Sequence, residues 1–339
     1  MTITTDIAII GGGLSGAVTA ICTQAHGFST CIIDANASDI QTTGNFDGRS
    51  YALSHSSVRM LNVLDLWNDL KQTAQPILDI KISDGGVAEI PSPYLLHFDH
   101  HDLEEGPMGY MVEDRHLRPL LQERLNDHDQ TIYLDQAQVI GQDTGPASTE
   151  LSLKGEQTTV KAKLVVAADG RRSAFAANAG IAYTGWDYAQ TSLVCALRHE
   201  KPHNGIAYQH FMPSGPLAIL PLTKNRASIV WTETSENAKT IMSLDDKAYL
   251  EVLRPRFGNF LGDVMITGKR LSFPLELSIA QSLIAGRLAL VGDAAHGMHP
   301  IAGQGLNAGL RDIAALTQII DEAKQRGEDF GSTAVLNRY

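Results

Sequence analysis

Apolar positions change period several times along the chain, and each change marks an element. Near the amino end the run IAII closes on Gly11, an apolar pattern with helical spacing runs from Leu14 to about His26, and TCIIDAN ends a second β-rich run at Asp34. A strand, a helix and a strand within residues 5–34 make a βαβ unit, the building block of a parallel sheet. A helix is expected from near Ser54, with serines available as caps and Val58, Leu61 and Leu64–Leu66 at helical spacing. The stretch from Pro76 to Gly106 is rich in Pro, Gly and His and reads as strands and loops of a different region. DRHLRPLLQERLN (114–126) returns to helical spacing, followed by β-like TIYLDQAQVIG, a hairpin through residue 160 and the buried strand KLVVAADG. From about 183 to 275 the pattern alternates and is punctuated by turns, with one helix expected near 244–257. RLALVGDAAHG is a further buried strand, and a glycine-opened helix closes the chain.

Nucleotide-type βα segments at both ends, with a β-rich insert between them, imply an α/β fold with a discontinuous cofactor domain over 1–75, 108–180 and 281–339. The β-rich domain takes 76–107 and 181–280. A length of 339 residues accommodates both. A net charge of −11 argues against a nucleic-acid partner, because phosphate binding needs a basic surface. Cys22, Cys31 and Cys195 are scattered without a C-x-x-C pair, which fits a reduced intracellular compartment and gives no redox motif. The amino end lacks a basic region and a long apolar run, so it reads as a strand rather than a signal peptide. No window approaches 18 apolar residues, so no membrane span is expected, and the localisation that fits is cytoplasmic.

Three glycine-rich corners carry the candidate chemistry. GGGLSG places Gly11, Gly13 and Gly16 in G-x-G-x-x-G register between a strand and a helix. That register supplies a tight turn, close approach of a pyrophosphate to the helix amino end, and close helix–strand packing. Asp34, 18 residues beyond Gly16, stands where a carboxylate binds ribose hydroxyls. It would repel a 2′-phosphate, so the tight site favours the AMP half of FAD, or NAD, over NADP. The other corners are Asp169-Gly170 and Gly292-Asp293, each closing a buried strand where open α/β sheets bind ligands.

With these motifs in order, the chain resembles the group A flavoprotein aromatic hydroxylases. HPIAGQGLNAGLRD (299–312) matches the signature of the ubiquinone-biosynthesis hydroxylases in that group, with support from GRSYALSHSSVRML, MGYMVED, FMPSGPLAILPL and SIVWTE. The resemblance implies a Rossmann-type FAD-binding domain with an inserted β-rich substrate domain, as in para-hydroxybenzoate hydroxylase. It implies that Gly11, Gly13, Gly16 and Asp34 hold the adenosine and pyrophosphate of FAD, and that Asp169 and Gly170 support the pyrophosphate and the nicotinamide's approach. Gly292 and Asp293 would take the ribityl chain, and Pro300, Gly303, Gln304, Gly305, Leu306 and Asn307 would line the isoalloxazine ring. Arg49 and Glu113 fall at family positions near the cofactor. The chain departs at Ala176, where the family often carries arginine, and at Asp34, where glutamate is usual; the family also usually continues past TAVLNRY, where this chain ends.

With one dinucleotide fingerprint, NAD(P)H would dock transiently as reductant. The implied substrate is a polyprenylated phenol, a lipid-like molecule that brings contact with the inner face of the membrane and with other ubiquinone-biosynthesis proteins. Phe211, Pro216, Leu220, Pro221 and Trp231 are the candidate lining residues, and His210 the candidate for polarising a phenol. A soluble phenol as substrate, or a non-catalytic flavoprotein of a biosynthetic complex, stays open; a halogenase is disfavoured because W-x-W-x-I-P is absent. HFDHHD (97–102) reads as a solvated polar loop with no distant ligand partner, so no metal is expected. His296 and His299, inside the flavin motif, read as backbone-positioning or flavin-proximal.

The glycines of the closing helix pose a question, since each costs about 1 kcal/mol in a helix relative to alanine. A reduced flavin carries negative charge along its pyrimidine edge, and an uncluttered helix amino end offers unpaired N–H groups and a positive dipole end.

Overall fold

The computed structural model describes residues 1–37, 46–86, 95–104, 106–126, 131–155 and 158–339. Five parallel strands form the centre of one eight-stranded sheet, in the order Leu288–Leu290, Thr159–Ala167, Thr2–Ile10, Thr30–Ile33 and Thr131–Leu134. Toward the corners these strands become continuous apolar runs, IAII at Ile7–Ile10, LVVA at Leu164–Ala167 and LAL at Leu288–Leu290, because both faces are covered there. On one face Ile7, Ile9, Ile32, Leu164 and Val166 pack under helices Leu14–Ala25, Asp114–Asn126 and Gln304–Gln325. On the other, Ala8, Ile10, Ile33, Val165 and Ala167 meet Phe175 and the hairpin residues Leu151 and Leu153.

A second eight-stranded sheet holds Tyr183–His199, Ile206–Met212, Gly215–Leu222, Arg226–Thr234 and Val264–Ala280, with Asp79–Asp84 and Leu96–Asp99 at one edge. Helices Ser235–Met242 and Asp246–Phe257 cover one face over Leu193, Leu197, Leu217, Ile229 and Trp231. The expected single helix near 244–257 is therefore preceded by another. Its cap is Thr234, whose side chain accepts from the Asn237 N–H, and its apolar signal rests on little more than Ala238 and Ile241. The other face of the sheet, through Ala196, Ala207 and Leu222, meets a three-stranded sheet of Ser50–Leu53, Gly109–Glu113 and Gln75–Ile77. Ser54 caps helix His55–Val63 as expected, accepting from the Ser57 N–H.

Two features join the sheets. Strands Tyr183–His199 and Val264–Ala280, each 17 residues, pair along their length, and at one end Ser278 and Ile279 pair with Gly297 and His296 just beyond the third corner. There the Tyr183 hydroxyl donates to the Ala294 carbonyl at 2.7 Å. Elsewhere Glu113, 1 % exposed, is ion-paired with Arg226 of the second sheet and with Arg115 at 2.8 Å.

Removing Arg226 leaves buried Glu113 with Arg115 at Oε2 but strips the cation from its Oε1, so its charge is only partly compensated. Arg226→Met is expected to destabilise the protein by about 3 kcal/mol, whereas the double variant Arg226→Met, Glu113→Gln recovers at least half of that loss. Urea denaturation of the three proteins measures both.

Candidate cofactor and substrate site

Register brings the three corners together. Ile10 lies level with Ile33 and with Ala167, and Ala167 with Leu290, so the parallel strands end side by side. Backbone bonds lace the ends: Gly11 N–H donates to Ile33 O at 2.9 Å, Ala168 N–H to Ile10 O at 2.8 Å and Val291 N–H to Ala167 O at 3.0 Å. Gly11 has φ +97°, and a Cβ there would come within 2.6 Å of the Ala168 carbonyl oxygen. A Cβ on Gly16 would run into the Gly11 carbonyl oxygen. The fingerprint helix thus sits directly on the turn, with its amino end at the carboxyl edge of the sheet.

Asp34 is 4 % exposed; its Oδ2 accepts from Gly12 N–H at 2.7 Å and its Oδ1 from Asn36 N–H at 2.8 Å. Tyr133, on the neighbouring strand, brings its hydroxyl to Gly12 and Asp34; that oxygen is buried without a hydrogen-bond partner. Burial, with Asp34 beside it, pushes the Tyr133 phenol up to about 12, so it stays a neutral donor at neutral pH. Tyr133 carries no local sequence signal and reaches this corner only through strand pairing.

At the second corner Gly170 has φ +82°, and Asp169 Oδ2 accepts from Ala174 N–H at 3.1 Å while its Oδ1 is buried without a partner. Burial raises the Asp169 carboxyl above the usual range. At the third corner Gly292, φ +62°, lies against Ser15 of the fingerprint helix. Asp312 Oδ2 accepts from Gly292 N–H at 2.9 Å and lies 2.7 Å from His296 Nε2. That hydrogen bond raises the His296 pKa, and with it His296 gains a tendency to carry positive charge beside Asp293. Arg171 Nε stands 3.9 Å from Asp293 Oδ2.

The three glycines of the terminal helix have three separate reasons. Gly303, its amino cap, takes a left-handed conformation (φ 61°, ψ 28°) with no side-chain cap. Gly309 packs on the third corner, where a Cβ would lie 3.0 Å from Gly292 Cα. Around Gly305 a Cβ would meet nothing within 4 Å, so the protein itself gives no reason for glycine there. Gly13 and Gly170 are open in the same way. Open glycines at the first two corners and on the terminal helix, unpartnered donors and acceptors at Tyr133 and Asp169, and an uncapped helix end are what FAD would fill.

Several expected contacts resolve differently. Asn307, 1 % exposed, has its amide fully used: Oδ1 accepts from Ser54 N–H and Ser57 Oγ–H, and Nδ2 donates to Ala52 O and Gly303 O. It holds the Gly303 turn in place instead of lining a ring. Leu306 packs into the helix-side core, and Gln304 Nε2 donates to Ala302 O. Glu113 is committed to Arg226 and Arg115, and its neighbour Asp114 forms the network near the cleft. Asp114 accepts from Arg49 at 3.0 Å, from Tyr51 at 2.7 Å and from Arg118 at 3.1 Å, while Arg49 also binds Asp47.

Strand parity divides the substrate candidates. His210, Leu217 and Trp231 lie opposite one another in register and share the helix-covered face. Trp231 is fully buried, its Nε1 donating to Glu233, and His210 Nδ1 lies 2.8 Å from Ser83 Oγ. Pro221 pairs with Ala227 on that same face. Alternation with period two puts all three on the wrong side for a substrate. Phe211, Pro216 and Leu220 occupy the opposite face, where Leu220 packs with Met111, Ala52 and Ala196. A Cβ on Gly303 would lie 3.1 Å from the Cβ of Ala52, which connects this apolar layer to the helix end.

The FAD binding domain family model matches residues 4–333. The chain belongs to this family. It is 42 % identical to the ubiquinone hydroxylase UbiL of Rhodospirillum rubrum over 98 % of this chain and 76 % of that protein. It is 33 % identical to the 3-demethoxyubiquinol 3-hydroxylase of Escherichia coli K12, over 99 % and 84 %. Among solved structures, p-nitrophenol 4-monooxygenase PnpA from Pseudomonas putida superposes with a TM-score of 0.78 over 99 % of this chain and 83 % of that one, at 19 % identity. The family's fold is thereby the para-hydroxybenzoate-hydroxylase-like α/β fold, and the chain is a flavin-dependent monooxygenase with FAD as cofactor.

Gly305→Ala separates a ligand's needs from the protein's. It is expected to leave stability unchanged or raise it by up to about 1 kcal/mol, while weakening FAD binding about ten-fold or more through the added Cβ; thermal denaturation and flavin titration test the two halves. His296 has a raised folded pKa, so its pairing with Asp312 stabilises fully below the unfolded value of about 6.5 and the contribution is lost as pH rises through the folded value. Asp312→Asn, whose Oδ1 can still accept from Gly292 N–H, should therefore destabilise more at pH 5.5 than at pH 8.5, as read from denaturant midpoints.

Proposed function

We propose that this protein hydroxylates the aromatic ring of a polyprenylated phenol or quinol in ubiquinone biosynthesis, consuming NAD(P)H and O2. The observation that carries the reading is the uncapped, open amino end of the terminal helix beside the apolar layer of Leu220, Ala196 and Met111. The named activities of UbiL and the 3-demethoxyubiquinol 3-hydroxylase support it. The chemistry that bound FAD supplies is reductive activation of O2 for ring hydroxylation.

In this reading Gly11, Gly13 and Gly16 present the fingerprint turn to the pyrophosphate, and Asp34 with Tyr133 faces the adenosine end. Asp169, Gly170 and Asp293 bind the middle of the cofactor, while Arg49 stands ready for its phosphates. Pro300, Gly303 and Gly305 shape the floor under the ring, and the helix N–H groups favour its negative form. Phe211, Pro216 and Leu220 keep water from the reacting face. His299 closes the site's edge: burial lowers its pKa, which keeps it neutral, and Tyr188 packs edge-on against it at 5.3 Å. Tyr188 leads on to exposed Trp186, and exposed Ile301 lies two residues past His299. That apolar approach fits a prenyl tail entering from a membrane surface, with delivery by other proteins of the route.

The test is NAD(P)H oxidation by the FAD-loaded protein with matched prenylated and unprenylated hydroxybenzoates. At about 0.8 kcal/mol per buried CH₂, one prenyl unit should raise kcat/KM by well over ten-fold. An equal response to both phenols would overturn the lipid reading, and a preparation that takes up no flavin would overturn the monooxygenase reading.

A further inference from the structure

The strand Leu96–Asp99, outermost in the second sheet among the described residues, carries a cluster that the cofactor site does not use. Asp79 and Asp99 lie directly opposite in the antiparallel pair Asp79–Asp84 and Leu96–Asp99, and His97 shares the face of Asp99 because side chains alternate along a strand. The chain then turns through a short 3-10 helix, His100–Asp102, which folds two more imidazoles back over the same carboxylates. His97 Nε2 is 3.3 Å from Asp79 Oδ2, and His100 Nδ1 is 3.5 Å from Asp79 Oδ1 and 3.3 Å from Asp99 Oδ1. One ligand atom each from Asp79, His97 and Asp99 lies within 4.8 Å of the others, and the same is true of Asp99, His100 and His101. The segment expected to be a solvated loop is thus half strand. Its distant partner, Asp79, was hidden by its separation along the chain.

We propose that Asp79, His97, Asp99 and His100 bind a divalent transition-metal ion of the zinc, cobalt or nickel type. The donor chemistry selects that class, since imidazole with carboxylate suits these ions while magnesium and calcium prefer all-oxygen shells. The three imidazole–carboxylate separations of 3.3, 3.5 and 3.3 Å agree: bonds of about 2.0–2.1 Å to a tetrahedral ion separate its ligands by roughly 3.3–3.4 Å. The nitrogen His100 Nδ1 is buried, faces two carboxylates and makes no hydrogen bond, which leaves its lone pair for an ion. His101 Nδ1, at 2.7 Å from Asp99 Oδ1, is at hydrogen-bonding distance and orients that carboxylate from outside the ligand set. Two carboxylates neutralise the ion's charge. Lys81, opposite His97 in register, has a stem long enough to turn its ammonium to solvent. The bound ion would fasten the strand Leu96–Asp99 to its neighbour Asp79–Asp84.

The experiment uses the FAD-loaded protein, stripped with a chelator and dialysed free of it, then titrated with Zn²⁺ and Co²⁺ by calorimetry and visible absorption. Saturable binding of one ion per chain, ligand-field bands of four-coordinate Co²⁺ and a higher Tm with Zn²⁺ are expected. His97→Ala and His100→Gln should each abolish the Co²⁺ bands with the flavin spectrum unchanged, His101→Ala should weaken binding about ten-fold, and His26→Ala, remote from the cluster, should have no effect. Absence of saturable binding to the unaltered protein, or retention of the bands in His97→Ala, would overturn the proposal. So would equal binding of Mg²⁺.

Discussion

Backbone pressed against backbone is the constraint on which this molecule depends. Gly16 sits on the Gly11 carbonyl, Gly11 against Ala168, and Gly309 on Gly292. At these contacts a single methyl group has no room. They draw the fingerprint helix, two strand ends and the terminal helix into one corner, and the parallel register sets every strand end at the same level. The catalytic cleft follows from that alignment more than from any single side chain.

Much of this was legible in the sequence, and the reasons differ by residue. The fingerprint, Asp34 and the two later corners are local signals, because a turn that requires positive φ writes its glycine into the chain. The glycines at 303, 305 and 309 were legible as a group, yet only the structure separates a left-handed cap, an open face and a packing contact. Side-chain parity was not legible at His210 and Trp231: one residue of register decides the face, and neither composition nor a family motif carries that register. The same holds for Glu113, whose partner Arg226 is 113 residues away, and for Asn307, whose amide is consumed by the strand and helix at 52–57. Long-range pairing places Tyr133 and Asp79, and nothing near them in sequence announces it.

Electrostatics in this chain are local rather than global. A net charge of −11 does not favour a cofactor with a negatively charged pyrophosphate, nor a phosphorylated reductant. Charges beyond about 10 Å are screened at ordinary ionic strength, however. What acts within that range is the helix amino end, Arg171, Arg49 held between Asp47 and Asp114, and the His296–Asp312 pair. The net charge of the whole chain therefore does not set the charge within the cleft.

The paired 17-residue strands act as a stiff beam. Because their far end is bonded to residues 294–297, the wall that would hold the substrate and the loop that would hold the ribityl chain are one mechanical body. Hinged closure between them would break those bonds. The short turn from His299 to Gly303 lies outside the paired strands and is tied instead to the terminal helix, through the Asn307 amide on the Gly303 carbonyl.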